Sequence, residues 1–335
     1  MNTKIPDMIP KIAMALVCVL LLSTCIREDW STCPDDIRVY FDISPLAGGD
    51  LINPDDIDRM RLFVFSQEGI YLSEYRDDNI DEFNANYYIS CNDLLPGDYR
   101  FIAWGGVDED FYSVYAEPID FVEGVTTFNQ AFTQLLMPPN PDNIFTETVP
   151  HIFHGELAVK VLKERSQRFV MPLRQFSNTV IMYARFDNDI SENHIFEFSI
   201  TDNNSTFGFD RSFASDPDDD DFTFRTRHTT LSKINELNYF ETSLNVMRLS
   251  PVRPSHRLRI YSVTLGREVF PIGTESDDLI ELIRYSNIEN YPVYDFEAKH
   301  NHEIIFEFHG GPTEVSVTVT ILPWRVRPPD DEPLN

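Results

Sequence analysis

Leu95-Pro96-Gly97-Asp98-Tyr99-Arg100-Phe101-Ile102-Ala103-Trp104-Gly105 reads as a tight turn feeding a strand. Pro96 presets one turn torsion and Gly97 tolerates the other. Beyond the turn, Tyr99, Phe101 and Ala103 fall on one face of a period-two strand, and Gly105-Gly106 ends it. The same reading extends outward. Ile37, Val39 and Phe41 alternate with Arg38, Tyr40 and Asp42. Met60 to Phe65 is a strongly apolar run closed by Gln67-Glu68-Gly69, and Ile70 to Tyr75 can return as its hairpin partner. Tyr87 to Cys91, Leu157 to Val161, Phe169 to Leu173, Thr179 to Phe186, Phe196 to Ile200 and Arg257 to Val263 continue the pattern.

Near the end, Ile304, Phe306 and Phe308 form one strand face. His309-Gly310-Gly311-Pro312 is a turn, and Val315, Val317, Val319 and Ile321 form the return. One stretch breaks the rule. Ser276 to Ile283 has a capping Ser or Asp and apolar neighbours at helical spacing, which predicts a two-turn helix. Residues 107–150 show little periodicity, and Asp216 to Asp221 is a loop of crowded carboxylates. Many half-buried strands without long intervening helices predict an all-β chain of sandwiches, each sheet with one packed and one wet face. With 335 residues the chain is long enough for two such domains. The expected boundary lies between Lys163 and Phe169, giving domains 36–165 and 166–335.

The first 24 residues have a different character. Lys4 and Lys11 precede an apolar run from Ile12 to Leu22, too short to span a bilayer as a helix, which predicts a signal peptide. Leu22-Ser23-Thr24-Cys25 resembles a lipobox, so cleavage before Cys25 and lipidation of Cys25 are expected, with residues 25–35 as a tether. Ile26-Arg27-Glu28-Asp29 resembles a surface-export signal of Bacteroidales-type lipoproteins. Of four cysteines, Cys18 leaves with the signal and Cys25 is taken by lipid. Cys33 and Cys91 then remain, as a disulfide in an oxidising compartment or as two buried thiols.

The formal net charge of -28 argues against nucleic acid as a partner. His151-x-x-His154 and the His300, His302 pair lack a third ligand at useful spacing, so structural or surface histidines are expected and no metal. Asp216 to Asp221 lacks the glycine and terminal glutamate of a calcium loop. Asn203-Asn204-Ser205-Thr206 holds overlapping glycosylation sequons, which carry little meaning in a bacterial lipoprotein. No GxSxG, phosphate-cradling loop or dinucleotide fingerprint is present, so neither a cofactor nor an enzyme is expected. Trp104 and Trp324, like most aromatics on alternating strands, are expected in the core.

Several segments in order carry a resemblance to a family. These are Trp30-Ser31-Thr32-Cys33-Pro34, Arg61 to Gly69, Leu95 to Gly105, Phe153-His154-Gly155, Pro172 to Phe186 and Val315 to Trp324. Together they resemble the fimbrial anchor and accessory subunits of Bacteroidales type V pili, the FimB-type minor fimbrillin lipoproteins. The resemblance implies two tandem transthyretin-like β-sandwich domains with a few short helices. It implies a non-enzymatic subunit in the outer membrane, exposed at the surface, at the pilus base or in its accessory parts. It also implies binding to shaft or accessory pilins by strand exchange, in which a neighbour's strand completes an open sheet. A surface glycan-binding lipoprotein of a polysaccharide-uptake system is the competing reading, and it requires an exposed row of aromatics beside carboxylates or amides.

Overall fold

The computed structural model describes residues 36–163, 165–186, 194–214, 220–234, 237–272, 276–285, 294–310 and 315–321. The signal peptide, the tether with Cys25 and Cys33, and Trp324 lie outside these residues. The first ten strands are β1 (Ile37–Asp42), β2 (Met60–Ser66), β3 (Tyr71–Asp77), β4 (Tyr88–Ser90), β5 (Gly97–Gly105), β6 (Tyr112–Ala116), β7 (Ala131–Leu135), β8 (Ile144–Phe145), β9 (Phe153–Val161) and β10 (Gln167–Gln175). There follow β11 (Asn178–Phe186), β12 (Phe196–Asp202), β13 (Thr206–Gly208), β14 (Phe222–Thr226), β15 (Thr230–Ile234), β16 (Leu237–Val246), β17 (Arg257–Ser262), β18 (Arg267–Phe270), β19 (Asn301–Gly310) and β20 (Val315–Ile321). A single α-helix, α1 (Leu279–Tyr285), is described. It starts where expected because Asp278 Oδ1 accepts from the backbone N–H groups of Ile280 and Glu281, at 2.9 and 3.2 Å.

The first sandwich is one array in the order β3-β2-β5-β9-β10-β1-β4. Strand β10 turns it into two layers. Its first half, Gln167 to Pro172, runs parallel to β1, and its second half, Leu173 to Gln175, runs antiparallel to β9. Ile37, Val39 and Phe41 of β1 thereby face Leu62, Val64, Phe101 and Ala103 across one apolar core. Gly155 of β9 permits the close approach at this corner: a Cβ there would sit 2.7 Å from Met171 Sδ. The turn that precedes β5 is held by Tyr99, whose hydroxyl donates to the Leu95 carbonyl at 2.7 Å.

The second sandwich packs the sheet β15-β16-β11-β19-β20 on the sheet β18-β17-β12-β14-β8. Val180, Met182, Phe196, Phe198, Phe222, Phe224, Leu258, Phe306 and Phe308 are all essentially inaccessible between them. This mostly β architecture is the all-β, two-sandwich fold expected from the strand pattern and the family resemblance.

Two features depart from the sequence reading. The stretch from residue 107 to 150 is not irregular, since it holds β6, β7 and β8. In β6 and β7 the buried positions alternate, but Ala116, Ala131 and Thr133 hold half of them beside Tyr112, Val114 and Leu135, and Tyr115 and Phe132 lie on the other face, so the apolar contrast is weak. These strands join β13 in a small sheet ordered β13-β7-β6. That sheet covers the second face of β2 and β5, where Phe63, Phe65, Ile102 and Trp104 meet Tyr112, Leu135, Phe207 and Phe209. The central strands are therefore buried on both faces, not on one.

The second departure concerns where the halves divide. Strand β10 belongs to the first sandwich, so sheet membership changes at Phe176-Ser177, later than the 165/166 boundary expected from the sequence. The halves also exchange strands, because β8 pairs parallel with β14 and β13 pairs antiparallel with β7. Apolar alternation reports that a strand is buried, not which sheet it joins.

Candidate functional site

The layer β4-β1-β10 buries one face in the first sandwich and presents the other outward. Registers set its composition. Tyr40 lies opposite Tyr88 in β4 and Val170 in β10, and Arg38 lies opposite Ser90 and Arg168. The outward side chains form a continuous row. The Arg168 guanidinium sits 3.9 Å from the Tyr40 ring centroid, the Tyr40 and Tyr88 rings are 5.3 Å apart, and the Arg38 guanidinium sits 4.5 Å from the Tyr88 centroid. Tyr88 is 40% exposed and Val170 is 49% exposed. Arg38 is neutralised by Asp36 at 2.8 Å. Arg168 has no carboxylate partner among the described residues. Attraction between each cation and the negative face of the ring beneath it holds both guanidinium groups in place over the tyrosines.

Sheet edges are the second candidate. Strand β20 ends its sheet and, among the described residues, its ladder pairs with β19 alone. Ser316 and Thr318 are exposed, while Val317 packs against the core. The seven residues of β20 alternate Val or Ile with Ser or Thr, and no other described strand pairs with this row of backbone donors and acceptors.

The residues singled out from the sequence fall into place differently. Cys91 is buried directly after β4, and burial pushes its thiol up to about 12. Cys33, its expected partner, lies outside the described residues. Trp104 is fully buried against His154, Phe176 and Phe209. Asn204 is inaccessible, so its sequon is not a glycan acceptor in the folded chain. Asp220 and Asp221 are exposed at the end of the acidic loop, and Asp216 to Asp219 lie outside the described residues.

The four histidines are structural. His154 Nε2 contacts the Phe209 carbonyl at 3.0 Å, and burial pushes its pKa down to about 3. His151 contacts Ser177 through Nδ1 and Thr179 through Nε2, at 2.8 and 3.2 Å. His302 contacts Asn178 Oδ1 at 3.1 Å and the Tyr294 hydroxyl at 2.7 Å. His151 and His302 thus converge on the segment that joins the sandwiches, where the His300 carbonyl accepts from the Thr179 N–H at 2.7 Å while its ring contacts the Leu51 carbonyl at 3.2 Å. No cluster among the described residues has the make-up of a metal site.

Sequence reasoning missed one polar group of catalytic type. Ser255, His256 and Asp202 lie together, with His256 Nε2 3.0 Å from Asp202 Oδ2. The Ser255 hydroxyl, however, donates to Asp202 rather than to the histidine. The nucleophile–base–acid order of a hydrolase is broken, and both His256 and Asp202 are sealed from solvent. Burial pushes the Asp202 carboxyl up, but the adjacent His256 imidazole and hydrogen bonds from the Ser255 hydroxyl and the Asn204 amide outweigh it and hold it below the usual range. The group is a buried polar knot, not an active site.

The double sandwich presents an outward aromatic face on β4-β1-β10 and a strand edge at β20, and no catalytic centre is assembled among the described residues. The chain belongs to the family of fimbrillin-A associated anchor proteins Mfa1 and Mfa2, which it matches over residues 31–328. No curated protein sequence matches it closely. Solved structures match it in fold. A candidate polysaccharide-binding protein of Bacteroides thetaiotaomicron is 21% identical, with 86% of this chain and 98% of that one aligned at a TM-score of 0.66. A candidate adhesin of the same organism is 17% identical, over 86% and 96%, at 0.65. The fimbrial anchor protein Mfa2 of Porphyromonas gingivalis is 18% identical, over 87% and 98%, at 0.61. At these identities the likeness is one of fold. Family membership makes the chain a non-enzymatic, surface-associated protein of the outer membrane and of the adhesion class.

Proposed function

We propose that this chain is a lipid-anchored fimbrial subunit, tied to the outer membrane through Cys25 and joined to a pilin by strand addition along β20. The observation that carries the reading is that β20, among the described residues, pairs with β19 alone in a chain of the fimbrial anchor family. An incoming strand there satisfies backbone N–H and C=O groups along the whole edge and extends the sheet that holds Phe306 and Phe308. Position at the pilus base and a Cys33–Cys91 disulfide belong to the same proposal. The test is site-specific photo-crosslinking from Ser316 in fimbriated cells, with a control crosslinker at exposed Lys160 on the other sandwich. Capture of a fimbrial shaft or accessory subunit from Ser316 alone supports the reading. Equal capture from both positions, or none from Ser316, overturns it.

A second reading rests on a different observation. The outward Tyr40 and Tyr88 beside Asp36 form the exposed aromatic row that a surface glycan-binding lipoprotein of a polysaccharide-uptake system requires. One protein of similar fold is described as a candidate for polysaccharide binding. Glycan-array binding by the soluble chain, lost on Tyr88→Ala, supports this reading, and binding unchanged by that substitution removes it.

A further inference from the structure

We propose that the outer face of β4-β1-β10 is a binding site for acidic polysaccharide, with Arg168 as the residue that pairs with a carboxylate or sulfate of the ligand. The inference deepens the glycan-binding reading and does not depend on strand addition at β20. Three observations converge on it. First, the parallel register of β1 with β10 sets Arg38 beside Arg168 on an exposed face. Like charges directly opposite each other across a ladder are unfavourable without an anion nearby. Asp36 answers Arg38 at 2.8 Å, which leaves Arg168 without a carboxylate among the described residues. Second, the chain carries 55 acidic and 27 basic residues, so a cation left without a carboxylate partner goes against the prevailing composition.

Third, Arg168 is positioned rather than loose. Its guanidinium rests 3.9 Å from the Tyr40 ring centroid, and Tyr40 is in turn flanked by Tyr88 at 5.3 Å. A stacked guanidinium keeps its N–H edge free for a planar or tetrahedral anion. The exposed Tyr88 ring and Val170 supply the apolar contact that the C–H face of a pyranose needs. The chain-wide charge of -28 does not cancel this local field. At physiological salt, charges beyond about 8 Å are largely screened, so groups at the face decide what it attracts.

The test uses the soluble mature chain without its lipid and three named polymers: heparan sulfate, polygalacturonate and neutral dextran. Binding is measured by calorimetry at 50 and 150 mM salt. The expected result is binding to one or both acidic polymers, weaker at higher salt, and none to dextran. Arg168→Ala is expected to weaken it at least tenfold, Arg168→Lys to restore part of it, and Tyr88→Ala to weaken it severalfold. Both positions are surface sites, so unchanged melting confirms that the fold is kept. Binding to dextran as tight as to the acidic polymers, affinity unaltered in Arg168→Ala, or no binding to any polymer overturns the proposal. Crosslinking from Ser316 proceeds in either case, so the two readings fail separately.

Discussion

Asp50 in the first half of the chain accepts the backbone N–H groups of His300 and Asn301, at 2.8 and 2.9 Å, where β19 begins in the second half. The carboxylate is only 4% exposed, and Lys299 lies 3.4 Å away. One side chain thus fastens a loop of the first sandwich to a central strand of the second.

Replacing Asp50 with Ala leaves two backbone donors at the junction without acceptors. A loss of roughly 1–3 kcal/mol is expected. Urea denaturation gives the loss, and hydrogen exchange locates it: the His300 and Asn301 amides should exchange faster than those of β5. Unchanged exchange at both amides would mean that Asp50 does not hold the junction.

The junction is also acid-sensitive. Burial, aided by nearby His300, pushes His151 down to about 4, and burial pushes His302 down to about 3. Both are neutral in the fold, while unfolded histidine takes up a proton near pH 6.5. As pH falls from about 6.5 to about 4, the unfolded chain binds more protons than the folded one, so stability falls over that window. For His151 the loss reaches about 3 kcal/mol by pH 4, because each tenfold difference in proton affinity between the two states is worth about 1.4 kcal/mol. Melting temperatures between pH 7 and 4.5 should decline less steeply in His151→Asn than in the parent chain.

Trp104 is the largest fully buried side chain. Trp104→Ala should cost about 3–5 kcal/mol, since the cavity opens between β5 and the small covering sheet. Its indole N–H has no acceptor among the described residues, so Trp104→Phe removes volume but breaks no hydrogen bond. That variant should cost about 1–2 kcal/mol by denaturant titration. A Trp104→Phe cost well above about 2 kcal/mol would show that the indole N–H is bonded after all.

The cysteines make a chemical prediction. Cys25→Ala should move the protein from the membrane fraction to the soluble one and remove the acyl mass. In the mature chain, Cys33 and Cys91 should form a disulfide, detected as a linked peptide before reduction. Closing a loop of about 58 residues should contribute roughly 4 kcal/mol in the chain-entropy model. Labelling of both thiols in unreduced, denatured protein would rule the bond out.

The sequence showed its strands where the chemistry of burial leaves a local mark. Leu95 to Gly105 declared a turn and a strand because Pro96 bends the chain just ahead of β5 and because large apolar residues alternate after it. Val315 to Ile321 did the same at the other end. It did not show β6 and β7, where Ala116, Ala131 and Thr133 take half of the buried positions and the aromatic Tyr115 and Phe132 face the other way. Nor did it show the Tyr40–Arg168 pair, whose members lie on strands far apart in the chain and meet only through a parallel register.

By itself the sequence determined the all-β class, most of the strands, the capped helix at Asp278 and the absence of catalytic and nucleotide-binding motifs, because each is written in neighbouring residues. Tertiary structure decided the rest. It made β5 a strand buried on both faces, gave β10 to the first sandwich, and set Arg168 over the ring of Tyr40. Those outcomes depend on which strands pair and in what register, and pairing is a relation between distant residues that no local pattern encodes.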